Sequence, residues 1–131
     1  LHVLTMMLTL NRNFHIYRDQ QTSHVYEQVP DNAPLDNSST AVVVGVGAAG
    51  MEVARLCKQV FGMRVVGVDS GRARACQWVD SLHGQDELDD VLGQGDVVVV
   101  TIPHTPETDG LFDASKFKLM RSHAVFINIV R

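Results

Sequence analysis

The sequence predicts an α/β fold of three layers, in which helices cover both faces of a doubly wound parallel sheet. From residue 41 onward, short runs rich in β-branched residues alternate with segments whose apolar residues repeat at helical spacing. The strand runs are apolar throughout, which is typical of strands buried on both faces. Because crossovers between parallel strands are right-handed and a glycine turn follows the first strand, the predicted strand order is 3-2-1-4-5.

The individual elements follow from apolar periods, caps and breakers. Strands are predicted over residues 41–44, 64–68, 79–82, 97–102 and 124–129, and helices over residues 49–61, 72–78, 87–92 and 114–120. Gly62 ends the first of these helices, and Asp86 and Asp113 are the predicted N-caps of the last two.

The N-terminal part of the chain has a different pattern. Apolar residues from Val3 to Tyr17 recur at helical spacing and predict one helix over residues 2–21, bent near residues 11–13. Residues 28–40 are rich in Pro, Asp, Asn and Ser, so we expect a linker between residues 1–27 and a sheet domain over residues 41–131. The chain begins with Leu1 and ends directly after an apolar run, so we expect a piece of a longer chain whose sheet is incomplete at its C-terminal end.

The composition of the 131 residues is that of one globular domain, with 45% apolar and 20% charged residues. It excludes a disordered, collagen-like or coiled-coil chain. Eleven basic and fifteen acidic residues give a net charge of −4, which predicts neither a nucleic-acid nor a membrane partner. Cys57 and Cys76 have no partners in metal-ligand spacing, so we expect no metal site, no disulfide and a reducing, cytoplasmic compartment.

A glycine pattern, Gly45-x-Gly47-x-x-Gly50, joins the first strand to the following helix. Gly45 permits a tight turn, Gly47 lets a pyrophosphate approach the backbone, and Gly50 lets the helix pack closely on the strand. The N–H groups at the helix start, around Ala48 and Ala49, and the helix dipole favour phosphates. In this context the pattern predicts a Rossmann-type dinucleotide site; the alternative is a glycine turn without a ligand.

Asp69 follows the second strand, 19 positions after Gly50, where a carboxylate accepts hydrogen bonds from the adenosine ribose. Because it would repel a 2′-phosphate, NAD is favoured over NADP. Arg72 and Arg74 lie just beyond it, and either they hold such a phosphate or they lie on a solvated helix face.

Several segments resemble, in order, the NAD-binding domain of the D-isomer-specific 2-hydroxyacid dehydrogenases. They are GVGAAG (45–50), FGMRVVGVD (61–69), LDDVL (88–92), DVVV (96–99), PHTPETDGLF (103–112) and AVFINIVR (124–131). The segment 103–112 is far more specific than the glycine pattern. The first helix resembles the interdomain helix of that family.

The resemblance implies hydride transfer between NAD and a D-2-hydroxy acid or 2-keto acid. Arg131 ends the motif Asn128-x-x-Arg131 and would hold the substrate carboxylate. The family's catalytic glutamate and histidine lie downstream, so we expect these residues alone to bind cofactor without turnover. The resemblance also implies a homodimer and further cofactor contacts at Ile102, Pro103, Thr108 and Ile129.

The chain departs from the family pattern at a few positions. Ala49 replaces a larger aliphatic residue, and Ile129 and Val130 replace small or hydroxylated residues before the arginine. His104 lies in a site loop, where we interpret it as a loop residue rather than a catalytic base. A second function remains open: a non-catalytic NAD(H)-sensing module similar to a corepressor.

Overall fold

The computed structural model describes residues 1–71 and 76–130. Its strands are β1 (Thr40–Val44), β2 (Arg64–Asp69), β3 (Ser81–Gly84), β4 (Val97–Val100) and β5 (Val125–Asn128). Its helices are α1 (His2–Asn11), α2 (Phe14–Thr22), α3 (Ala48–Phe61), α4 (Leu88–Leu92) and α5 (Ala114–Leu119), with a 3₁₀ turn at Gln85–Glu87 before α4.

All strand pairs are parallel, and the strand order is β3-β2-β1-β4-β5, as predicted. In the centre of the sheet, Val42 lies opposite Val66 on one side and Val98 on the other. The strand order reverses between β1 and β4, and ligands of doubly wound sheets bind at the carboxyl ends of the strands at this point. The carboxyl ends of β1, β2 and β4 therefore define where a site is expected.

The core consists of two apolar clusters, one on each face of the sheet. Side chains alternate along each strand, so odd-numbered residues such as Val43 and Val99 pack with Val3 and Met7 of α1 and Cys57 of α3. Even-numbered residues of the central strands pack with α4, through its three buried residues Leu88, Val91 and Leu92. The predicted three-layer α/β class is confirmed.

The N-terminal helix is not one bent helix, as the apolar spacing predicted, but two. Asn13 adopts the left-handed conformation at φ 53°, which ends the α-helical path between α1 and α2. Its amide donates to the Pro30 carbonyl oxygen at 2.6 Å, and the amide of Asn11 donates to that of Ala33 at 2.6 Å. The break is therefore held by residues 30–33, which lack helix or strand structure.

The third strand and the start of α4 also differ in detail from the prediction. The third strand is Ser81–Gly84, so both of its ends lie two residues later than predicted. Asp86 is not the N-cap of α4, because a 3₁₀ turn precedes the helix and the Glu87 carboxylate accepts from the Gly84 N–H at 2.9 Å. Asp113 does cap α5, accepting from the backbone N–H groups of Ser115 and Lys116. The helix predicted over residues 72–78 lies largely outside the described residues.

Within the described part of the chain, no helix has both the length and the apolar character needed to cross a membrane.

Candidate cofactor site

The glycine loop, residues 45–50, connects the carboxyl end of β1 to α3. Gly45 has a φ of +93°, which favours glycine and matches the tight turn predicted there. A Cβ added at Gly45 would also lie 2.8 Å from Cγ2 and 2.9 Å from N of Ile102. Gly45 therefore allows the backbone after β4 to approach the loop.

Gly47 lies where the loop opens to solvent. It is the residue before α3, and apart from its two chain neighbours no described residue has an atom within 4 Å of a Cβ added there. Ala48 and Ala49, in the first turn of α3, are exposed. The first N–H groups of a helix have no partner within it, and its dipole favours anions. The open space at Gly47 thus fits the pyrophosphate of a dinucleotide.

Gly50 has the opposite surroundings. A Cβ added there would lie 1.9 Å from the carbonyl oxygen of Gly45 and 2.9 Å from Oγ1 of Thr101. The helix start can approach the loop and the end of β4 only because position 50 has no side chain. Gly50 thus packs the helix onto the glycine loop itself and onto Thr101.

Asp69, at the end of β2, is joined to the glycine loop by a hydrogen bond. The Val46 N–H donates to its Oδ2 at 2.9 Å, and the preceding Gly45 N–H donates to the Val68 carbonyl oxygen at 2.7 Å. The structure therefore brings the predicted ribose ligand and the predicted pyrophosphate loop to the same edge of the sheet.

A cleft of about 230 Å³ lies at the same edge, between the loop after β4 and the end of β5. Its lining includes three predicted cofactor contacts, Ile102, Pro103 and Thr108, together with Asn128 and Val130. The side chain of Ile129 packs against the core cluster on the α1 and α3 face and does not line this cleft. After β5, the side chain of Val130 thus lines the cleft, whereas that of Ile129 packs against the core.

The Thr108 hydroxyl is engaged within its own loop. It donates to the Pro103 carbonyl oxygen at 2.7 Å and accepts from the Thr105 N–H at 2.9 Å. His104 and Asp109 are both mostly exposed at the rim, with Nδ1 and Oδ1 4.0 Å apart. Thr108 therefore shapes the loop, and its contact with cofactor phosphates remains a prediction.

Thr101 is a residue that the sequence patterns did not single out. It follows β4, and its hydroxyl donates to the Gly45 carbonyl oxygen at 2.5 Å. The only sequence feature that could have pointed to Thr101 is that it is a hydroxylated residue directly after a buried strand.

Three basic residues considered from the sequence, Arg72, Arg74 and Arg131, lie outside the described residues. Before Arg131, the Asn128 side chain accepts from the Val130 N–H at 2.9 Å and forms a turn at the end of β5.

A larger groove of about 450 Å³ lies at the other edge of the sheet. Its lining includes Leu8 and Asn11 of α1, Pro34, and Phe61 at the end of α3. Because the glycine loop is at the beginning of α3, this groove is not part of the candidate site.

Cys57 is buried on α3, and its burial raises the pKa of the thiol to about 12. It is therefore a core residue rather than a nucleophile. In residues 1–71 and 76–130, no three His, Cys, Asp or Glu side chains are grouped to hold a metal ion.

Comparison with protein families matches residues 4–131 to "D-isomer specific 2-hydroxyacid dehydrogenase, NAD binding domain". The chain belongs to this family. The family assignment confirms the dinucleotide site that the glycine pattern predicted and the nicotinamide cofactor that the resemblance implied.

Members of the family resemble the chain in sequence and in structure. Glyoxylate/hydroxypyruvate reductase A of Photorhabdus laumondii is 30% identical over 131 residues, which cover 99% of this chain and 40% of that protein. A D-isomer specific 2-hydroxyacid dehydrogenase family protein from Aeromonas salmonicida has a TM-score of 0.83 at 35% identity. The match covers 98% of this chain and 40% of the Aeromonas chain.

A probable 2-hydroxyacid dehydrogenase from Rhizobium etli, solved with NADP, HEPES and L(+)-tartaric acid, has a TM-score of 0.82 at 27% identity. The match covers 96% of this chain and 40% of the Rhizobium chain. The present chain thus spans about two fifths of the length of these relatives. They are a reductase and dehydrogenases, and none of them supports the non-catalytic alternative.

Proposed function

We propose that this chain holds NAD for an oxidoreductase that interconverts a D-2-hydroxy acid and its 2-keto acid. The observation that carries the proposal is the open space at Gly47, at the first turn of α3 and on the same sheet edge as Asp69. When bound, the nicotinamide supplies or accepts a hydride at the α-carbon of the substrate.

The described residues divide the work of holding the cofactor. The first turn of α3 presents N–H groups to the pyrophosphate, and Asp69 accepts hydrogen bonds from the adenosine ribose. The cleft between Pro103 and Asn128 lies at the carboxyl end of β4 and β5, on the same edge of the sheet. Ile102 and Pro103 line the cofactor on one side of this cleft, with Asn128 and Val130 on the other, while Ile129 packs against the core.

We propose NAD rather than NADP because the Asp69 carboxylate lies beside the glycine loop, where it repels a 2′-phosphate. The NADP bound by the Rhizobium relative makes this choice a matter for direct measurement.

Arg131 holds the substrate carboxylate with two parallel hydrogen bonds, which a guanidinium forms and an ammonium does not.

The complete protein is proposed to be a homodimer of a reducing compartment such as the cytoplasm. The free thiols of Cys57 and Cys76 support the compartment. Light scattering of the complete protein measures the number of subunits.

The proposal is tested by titrating the protein with NADH and with NADPH while recording the fluorescence of the reduced nicotinamide. We expect NADH to bind at least tenfold more tightly. The complete protein is then assayed for oxidation of NADH with glyoxylate, hydroxypyruvate and pyruvate. Tighter binding of NADPH contradicts the role of Asp69, and NADH binding without turnover of any 2-keto acid supports the sensing alternative.

A further inference from the structure

Thr101 contacts the glycine loop through both its backbone and its side chain. Its N–H donates to the Val44 carbonyl oxygen at 2.8 Å, continuing the pairing of β1 with β4. Its hydroxyl donates to the Gly45 carbonyl oxygen at 2.5 Å and lies 3.3 Å from that of Val44. The hydroxyl thus joins the first residue of the glycine loop to the end of β4.

The peptide group between Gly45 and Val46 is held at both of its polar ends. Its C=O accepts from the Thr101 hydroxyl, and its N–H donates to the Asp69 carboxylate at 2.9 Å. Because a peptide group is planar, its C=O and N–H rotate together. The Thr101 hydroxyl therefore also fixes the direction of the N–H that meets Asp69.

The space around this contact leaves little freedom for another arrangement. Gly45 is buried, and a Cβ added at Gly50 would lie 1.9 Å from the same Gly45 oxygen and 2.9 Å from Thr101 Oγ1. The start of α3 is thus packed directly on the bonded pair. A rotation of the Gly45 carbonyl has to move both the helix start and the hydrogen bond to Asp69.

We propose that Thr101 is a positioning residue for the cofactor. Through the Gly45–Val46 peptide, its hydroxyl holds the glycine loop and the Asp69 carboxylate in their relative positions. The proposal deepens and rests on the proposed function, because it concerns how the same residues meet the pyrophosphate and the ribose. Thr101 itself need not contact either.

The substitutions Thr101→Val and Thr101→Ser separate the hydroxyl from the shape of the side chain. Valine has nearly the same shape but no donor, whereas serine retains the donor. A matched control is Thr5→Val, because the Thr5 hydroxyl also donates to a backbone carbonyl oxygen, that of Leu1, but in α1. A second control is Asp96→Asn, which weakens the opposite edge of the sheet without touching the glycine loop.

The readouts are the Kd of NADH and the hydrogen-exchange rate of the Val46 amide without cofactor. We expect Thr101→Val to raise the Kd about tenfold, as the loss of one ordering hydrogen bond allows, and to speed exchange at Val46 relative to the strand amides. Thr101→Ser should restore both values to within about threefold. Thr5→Val should leave exchange at Val46 unchanged, and Asp96→Asn should not speed it more than exchange at the strand amides.

The outcomes distinguish this proposal from the proposed function. If the unmodified protein binds no NADH, the proposed function fails, and exchange at Val46 still decides whether the hydroxyl positions the loop. If the unmodified protein binds NADH and Thr101→Val binds it equally well, the role of Thr101 is refuted. Should the valine variant fail to fold, Thr101→Ala removes the hydroxyl with a smaller side chain, and the same criteria apply.

Discussion

The carboxylate of Asp69 accepts a hydrogen bond from the backbone N–H of Val46, with 2.9 Å between Oδ2 and N. Because Val46 lies between Gly45 and Gly47, this bond places the ribose-binding carboxylate and the phosphate-binding loop in one unit. Removal of the Asp69 carboxylate should therefore affect both the ribose-binding and the phosphate-binding part of the site.

Replacing Asp69 by alanine removes the hydrogen bonds to the ribose and to Val46. We expect NADH binding to weaken by about 1.5–3 kcal/mol, the usual contribution of a hydrogen bond to a charged group. Asp69→Asn is the matched control, because its side-chain oxygen still accepts from Val46 while the negative charge is lost. The measurement is fluorescence titration with NADH and with NADPH. In both variants the preference for NADH over NADPH, measured as the ratio of the two affinities, should decrease. An unchanged ratio would contradict electrostatic selection by Asp69.

The glycines at 47 and 50 are expected to respond oppositely to alanine. At Gly47 a methyl group meets no described residue other than its two chain neighbours, so we expect the free energy of unfolding to change by less than about 1 kcal/mol. The same methyl group fills the space proposed for the pyrophosphate, so NADH binding should be lost. At Gly50 a methyl group overlaps the Gly45 carbonyl oxygen, so Gly50→Ala should destabilise the fold by about 1–3 kcal/mol.

Urea unfolding and NADH titration of both glycine variants check this pair of expectations. A Gly47→Ala variant that binds NADH as tightly as the unmodified protein would place the pyrophosphate elsewhere.

Asp96 joins the amino ends of three strands at the edge opposite the site. Its carboxylate accepts from the Thr40 N–H, from Arg121 and from His123, each at 2.8 Å, when the His123 ring nitrogen carries a proton. Burial alone raises the pKa of Asp96, but the hydrogen bonds from His123, Thr40 and Arg121 outweigh burial and lower the pKa below its ordinary value. The ionised carboxylate is thus more stable in the folded than in the unfolded chain.

A lowered pKa in the folded state gives a stability that is complete above the unfolded pKa and lost as the pH falls through the folded value. We therefore expect the free energy of unfolding to decrease below about pH 4. Asp96→Asn should lower it by about 1–3 kcal/mol at pH 7 and flatten this acid dependence. Urea titrations between neutral and acid pH measure both effects. Equal acid dependence in the two proteins would exclude Asp96 as its source.

The sheet could be predicted from the sequence because its evidence is local. Runs such as residues 97–100, four consecutive valines, are apolar at every position, and such a run is typical of a strand covered on both faces. The cap at Asp113 and the end of α3 at Gly62, with φ +69°, likewise depend on neighbouring residues. These features need no knowledge of distant parts of the chain.

Features held by distant residues could not be predicted in this way. The break at Asn13 depends on a hydrogen bond to Pro30, 17 residues away, so the apolar spacing indicated one bent helix. Thr101 reaches Gly45 across 56 residues, because β1 and β4 are neighbours in the sheet. In sequence, it is one more β-branched residue at the end of a valine run.

Cys57 should be protected from thiol reagents in the folded protein. Its side chain is buried on α3, and burial raises its pKa to about 12, so the reactive thiolate is scarce at pH 8. In a Cys76→Ser variant, which leaves Cys57 as the sole thiol, labelling should require unfolding. The measurement is the labelling rate with and without urea. Rapid labelling of the folded variant would show that α3 opens readily from the sheet.

Arg131 is expected to act on the substrate and not on the cofactor. In sequence it follows Asn128 and Val130, whose turn lies at the carboxyl edge of the sheet where ligands of doubly wound folds bind. From this sequence position we expect its guanidinium to hold the substrate carboxylate and polarise the keto oxygen, so part of its effect should belong to the transition state. Lysine keeps the charge but loses the two parallel hydrogen bonds, so the Arg131→Lys variant should retain little of the kcat/KM of the unmodified protein.

The measurement is steady-state kinetics on the complete protein, with NADH titration in parallel. We expect Arg131→Lys to lower kcat/KM at least about tenfold, which is about 1.4 kcal/mol of transition-state stabilisation, while the Kd of NADH stays unchanged. Arg12→Lys is the matched control, because Arg12 forms an exposed ion pair with Asp31 beside α1. A loss of kcat/KM smaller than about threefold would remove Arg131 from the catalytic set. A parallel rise in the Kd of NADH would instead assign Arg131 to the cofactor, since substrate is absent from that titration.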